Sequence, residues 1–166
     1  MSNLDNLAKF EWENEIPFPV AQVKKTIHAM IGDYDNKHAL GLLIFNKKNM
    51  EWDLTACDSS NNDAFGSYSF KQFTSIISVT VKEVSEKSTN MKITVSATYG
   101  GNQRNLQDKC DKFNKALGYY LEHQDEVDEW HKELPQKIEE YKNAKGCMVI
   151  LPLIIGGGSM LAWYFM

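Results

Sequence analysis

No charged residue follows Lys145. Residues 147–166 read CMVILPLIIGGGSMLAWYFM, without one Asp, Glu, Lys or Arg. A helix of that length rises about 30 Å, the thickness of a bilayer's hydrocarbon core. A helix lying against a domain in water keeps a polar face, and this segment has none. Pro152 and Gly156 to Gly158 would weaken a helix in water, whereas both residue types are tolerated in bilayers. These features argue against the competing reading, a helix buried in a soluble domain. Residues 146–166 are therefore expected to form one transmembrane anchor. Cys147 stands at its edge, and Leu151, Leu153, Ile154, Ile155 and Leu161 form its apolar body. Trp163, Tyr164 and Phe165 supply the aromatics that suit a membrane interface.

Orientation follows from charge. Lys137, Lys142 and Lys145 precede the segment, and positive residues favour the cytoplasmic side. The opening residues, MSNLDNLAKFEWENE, lack a basic region followed by an apolar run, so no secretory signal is expected. Together these predict a single-pass, tail-anchored protein with its N-terminal domain in the cytoplasm and membrane lipid as a partner. Gly158 and Ala162, four residues apart beside Gly157 and Ser159, offer a small-residue face through which two spans could form a homodimer.

Every charge lies before residue 146, so the mean hydropathy of -0.42 averages two unlike parts. Lys and Arg total 18 against 22 Asp and Glu, a net charge of -4. That balance lacks the basic excess of a nucleic-acid-binding surface. Three cysteines at wide spacing make no disulfide framework, and no CxxC is present for zinc or redox chemistry. A reducing compartment is the default for such a chain.

Period-two alternation marks the first element. Phe10, Trp12, Ile16 and Phe18 alternate with Lys9, Glu11, Glu13 and Glu15, Asn14 being the break, until Pro17 and Pro19 end the strand. VAQVKKTIHAMI then carries Val20, Val23, Ile27 and Met30 or Ile31 at helical spacing, with Pro19 at its start and Gly32 at its end. ALGLLIF (39–45) and MEWDLTA (50–56) are expected to pair as a hairpin, with 57–64 a polar loop and 65–70 a further strand. A clearer hairpin follows. Ile77, Val79 and Val81 form one arm, 85–90 the turn, and Met91, Ile93, Val95, Ala97 and Tyr99 the other arm. After Gly100 and Gly101, Asn102 can cap a helix with an apolar stripe of Leu106, Cys110, Phe113, Leu117 and Tyr120 or Leu121. Arg104, Lys109, Asp111, Lys112 and Lys115 are placed on its wet face. Residues 122–145 are rich in charge yet keep Val127, Trp130, Leu134, Ile138 and Tyr141 at helical spacing, which predicts a helical stalk.

This order of strand, helix, antiparallel strands and one long helix resembles the helix-grip fold of the START and pollen-allergen-like superfamily (SRPBCC). The stretch that carries the likeness is FGSYSFKQFTSIISVTVKEV, a turn, MKITVSATYGG and NLQDKCDKFNKALGYYL, and the likeness covers residues 8–121. It rests on order and periodicity, without an invariant motif. It implies an α+β domain over residues 1–121, in which a curved antiparallel sheet grips a long C-terminal helix around an apolar cavity. Typical members place two short helices after the first strand. Residues 20–37 here offer one.

Trp12, Phe18, Trp52, Tyr68, Phe70, Tyr99 and Phe113 fall on or near the predicted inward faces, and Leu117 lies on the helix stripe. In the fold it resembles, such side chains line a cavity for sterols, lipids or other apolar molecules. They can equally fill a solid core. No catalytic constellation stands out, with no GxSxG, HExxH or GxGxxG. His28, His38, His123 and His131 form no metal-ligand motif, no cofactor is expected, and Cys110 reads as a core thiol. Two functions follow. One is a tethered domain that binds a lipid or other apolar small molecule. The other is a non-enzymatic scaffold with a filled core, binding a protein partner at the membrane through its acidic stalk.

Overall fold

A computed structural model describes residues 8–32, 41–45, 54–72, 74–98, 102–140 and 143. Contacts divide the chain into two compact units, Met1–Trp130 and His131–Met166. In the first unit, strand β1 (Lys9–Ile16) leads into helix α1 (Val20–Ile31) and a single turn, α2 (Leu42–Phe45). Strands β2 (Leu54–Asn62), β3 (Phe65–Gln72), β4 (Ser75–Ser85) and β5 (Ser88–Ala97) follow, and helix α3 (Gln103–Glu122) closes the series. The architecture is α+β, with one antiparallel sheet in the order β1-β5-β4-β3-β2.

Strands β2 to β5 form a meander because their turns are short, whereas β1 crosses over to pair with β5, Lys9 facing Ser96 and Ile16 facing Thr89. One face of the sheet is apolar. Tyr68 and Phe70 on β3, Ile77, Val79 and Val81 on β4, and Met91, Ile93 and Val95 on β5 are all buried. Their neighbours along each strand, such as Ser67, Ser78 and Thr94, are partly exposed on the other face. The period of two thus sets which residues meet the helices. Both helices serve the apolar face: α3 packs on β5 and β1, and α1 packs on α3, β4 and β3.

Local signals explain the helix ends. Pro19 precedes α1 and needs no N–H partner there. Gly32 ends it at φ 86° and ψ -164°, a region essentially confined to glycine, and donates its N–H to the His28 carbonyl at 2.8 Å. Asn102 caps α3, its Oδ1 accepting from the Arg104 N–H at 2.9 Å. Leu106, Cys110, Phe113, Leu117, Tyr120 and Leu121 are its buried stripe, as the spacing predicts.

Two sequence expectations fail. Within the expected strand 39–45, Leu42–Phe45 is helical, and residues 39 and 40 lie outside the described residues. The stretch 57–64 is no loop either: β2 runs through Asn62 and pairs with β3, slipping register between Ala56 and Asp58. The predicted hairpin of 39–45 with 50–56 is therefore replaced by β2 with β3, turning at Asp63 and Ala64.

The polypeptide beyond α3 stays with the first unit as far as Trp130. His123 ends the helix, and residues 124–130 are again helical. Val127 and Trp130 are buried. Polar side chains tie this segment to α1. Gln22 Nε2 donates to the Leu121 carbonyl at 3.1 Å, and Gln124 Nε2 donates to Thr26 Oγ1 at 2.9 Å and to the Tyr120 carbonyl at 2.8 Å. Lys25 pairs with Asp128. In the second unit, residues 131–140 are helical, and Lys137 pairs with Glu133 one turn away at 3.0 Å. No helix among the described residues is long and apolar enough to cross a membrane, and the expected anchor at 146–166 lies outside them.

Gly118, inside α3, has nothing within 4 Å of where a Cβ would stand. Glycine in a helix interior costs roughly 0.5–1 kcal/mol relative to alanine. Gly118→Ala is expected to stabilise the protein by about that amount, read as a higher urea midpoint with an unchanged slope. A lower midpoint would show that the absent side chain serves another purpose.

Candidate functional site

The layer between α3 and the sheet brings most of the described candidates together. Register builds it in rows. Tyr68, Val79, Ile93 and Trp12 are successive cross-strand partners, and Phe70, Ile77, Val95 and Phe10 form the next row. Helix α3 lays Phe113 and Leu117 against this surface. The rings of Phe70 and Phe113 stand 5.4 Å apart at 40°, a tilted aromatic pair. Phe70 and Phe113 are fully buried, and Leu117 and Tyr68 nearly so. Burial pushes the Tyr68 hydroxyl up to about 12, so it stays protonated at neutral pH.

The edge strand behaves differently. Phe10 and Trp12 lie in these rows but remain partly exposed, as do Ile16, opposite Thr89, and Phe18 just beyond it. Phe18 is fixed through its backbone: its N–H donates to the Ile16 carbonyl at 2.9 Å, and its own carbonyl accepts from the buried Thr89 hydroxyl at 2.7 Å. Of the other cavity candidates, Trp52 and Tyr99 lie outside the described residues, as do the anchor candidates from Cys147 to Phe165.

Cys110 is fully buried on the α3 stripe, and desolvation followed by the nearby Asp111 charge pushes its thiol up to about 11. Such a thiol carries almost no nucleophilic thiolate at neutral pH, so it acts as a small apolar side chain. Among the described residues, no group of three or more His, Cys, Asp or Glu side chains is placed to hold a metal ion.

Sequence reasoning misplaced one polar residue. Lys109, expected on the wet face of α3, is half-buried, and its Nζ donates to Ser75 Oγ at 2.6 Å. Desolvation lowers its pKa. The spacing held a signal for this. Lys109 lies three residues after Leu106 and four before Phe113, so its stem runs along the border of the apolar stripe.

A second aromatic group marks the far end of α3. Tyr119 stacks on His123 with ring centroids 4.0 Å apart, and its hydroxyl donates to the Glu126 carboxylate. The hydrogen bond to Glu126 chiefly raises the Tyr119 pKa. His123 Nδ1 lies 2.8 Å from the Tyr119 carbonyl. This group joins α3 to the segment 124–130 and lies at the surface, apart from the apolar layer. No protein-family model and no curated protein matches the chain.

Proposed function

We propose that this chain is a tail-anchored membrane protein whose cytoplasmic, helix-grip-like domain holds a lipid or another apolar small molecule between α3 and the sheet. The observation that carries the binding reading is the half-exposed apolar lip on β1. Trp12 shares a row with Ile93, Val79 and Tyr68, which are at most 2% exposed, yet it remains open to solvent. An apolar interior that reaches a rim of large, accessible aromatics suits the entry of an apolar guest. The turn α2 after α1 adds support, since the resemblance leads one to expect two short helices behind the first strand. The uncharged stretch 147–166 supports the anchor, with Lys137, Lys142 and Lys145 on its cytoplasmic side.

A scaffold with a filled core is the second reading, and the direct contact of Phe70 with Phe113 favours it. One experiment separates the two. Full-length protein is expected to stay in the membrane pellet through carbonate washing and to require detergent for release. Organic extraction of the purified protein, followed by mass spectrometry, is expected to yield an apolar small molecule in near-stoichiometric amount. Release by carbonate would remove the anchor, and a protein free of bound small molecules would favour the scaffold.

A further inference from the structure

One corner of the interior departs from its apolar rule. Gln72 ends the inward row of β3 and Ser75 begins that of β4, and the two are partners across the hairpin. They are 3% and 2% exposed. Lys109 reaches this corner from α3 and hydrogen-bonds Ser75 at 2.6 Å. Phe70 lies two residues before Gln72 on the same face, and the buried Cys110 follows Lys109 on the helix. The apolar layer thus runs into a polar corner that holds a positive charge.

That charge has no carboxylate partner among the described residues. On its own helix, Asp108 pairs with Lys112 at 3.1 Å, and Asp111 points outward, exposed. Desolvation is the sole cause acting on the Lys109 ammonium. A half-buried cation with no carboxylate paired to it among the described residues gains from an arriving anion. The chemistry of the corner also suits one. An ammonium carries three donors and Ser75 takes one of them. The serine oxygen accepts that bond, so its own proton remains a donor.

We infer that the guest is an amphiphile with a carboxylate head, its chain lying along the Phe70 and Phe113 layer and its head held by Lys109 Nζ and Ser75 Oγ. This rests on the binding function proposed above and narrows it to an anionic class. Losing a charge-assisted hydrogen bond in a partly dry site costs about tenfold or more in affinity.

The test uses full-length protein and two photoreactive probes, a diazirine-bearing dodecanoic acid and the matching dodecanol. Labelling of residues 9–130 is quantified by mass spectrometry across a concentration series. The acid is expected to label at concentrations at least about tenfold lower than the alcohol. Lys109→Met is expected to remove that preference by lowering acid labelling far more than alcohol labelling, whereas Lys109→Arg, which keeps the charge, retains it. A general loss of structure in Lys109→Met would lower both probes together, and the Arg variant then decides. Equal labelling by acid and alcohol in the parent protein would overturn the carboxylate assignment while leaving an apolar site in place. No labelling by either probe would overturn the binding function itself. A dodecyl phosphate arm separates sources of negative charge: if it displaces the acid probe more strongly than dodecanoate does, the carboxylate assignment is wrong.

Discussion

Replacing Phe113 with alanine is expected to destabilise the first unit by about 3–5 kcal/mol, the usual cost of emptying a buried phenylalanine site. Phe113 is fully buried, touches the Phe70 ring, and sits at the middle of the α3 stripe between Cys110 and Leu117. Its removal sacrifices the transfer energy of the ring and leaves a void that neither a paired strand nor a helix can readily collapse into. A domain of ordinary stability holds about 5–15 kcal/mol in total, so this loss removes a large share of it. Urea unfolding followed by tryptophan emission measures the effect, since Trp12 and Trp130 belong to the same unit. A cost near 1 kcal/mol would contradict the close packing of Phe113 against Phe70.

Gly41→Ala is expected to cost about 3 kcal/mol, at the upper end for inserting an atom into a packed interior. A Cβ on Gly41 would stand 2.1 Å from the Met30 carbonyl oxygen, 2.4 Å from its carbon and 2.5 Å from the Gly32 nitrogen. All three atoms are backbone, so no side-chain rotation relieves the clash. Gly32 cannot yield either, because its conformation ends α1 in a region that other residues avoid. The expected outcome of so close an approach is separation of α2 from the end of α1, seen as loss of amide protection over Met30 to Gly32. Gly41→Ser should behave like the alanine variant. A Gly41→Ala protein with the parent's urea midpoint would contradict the close approach. Gly118→Ala, in open space, is the matched control with the opposite sign.

The elements that were legible from the sequence share one property: each has a clean period and a chemical stop. Strand β1 ends at Pro17 and α1 ends at Gly32, while Asn102 announces α3. Alternation in β4 and β5 placed their inward residues correctly, from Ile77 to Val81 and from Met91 to Ala97. The failures have equally physical causes. ALGLLIF is apolar throughout, and such a run fits a helix as well as a strand, so periodicity could not decide it. CDSSNN reads as a loop because its residues carry no apolar period, and because the β2 register slips between Ala56 and Asp58. In the candidate site, Tyr68, Phe70, Phe113 and Leu117 were visible as inward positions. Lys109 was not, because its charge assigns it to the wet face, although its spacing from Leu106 and Phe113 sets its stem at the border of the apolar stripe.

The place of β1 at the edge beyond β5 has a consequence in time. Glu13 and Asn90, which hydrogen-bond across that pair, are 77 residues apart. At synthesis rates of 5–20 residues per second, β1 waits about 4–15 s before its partner exists. During that interval its backbone is an unpaired template bearing Phe10, Trp12 and Ile16. The charges that alternate with them, Lys9, Glu11, Glu13 and Glu15, repel neighbouring nascent chains and discourage edge-to-edge pairing. Once β5 arrives, two of those charges find partners, Lys92 lying 3.4 Å from Glu11 and Asn90 bonding Glu13 at 2.9 Å. The same side chains thus guard the strand while it waits and hold its register when it docks.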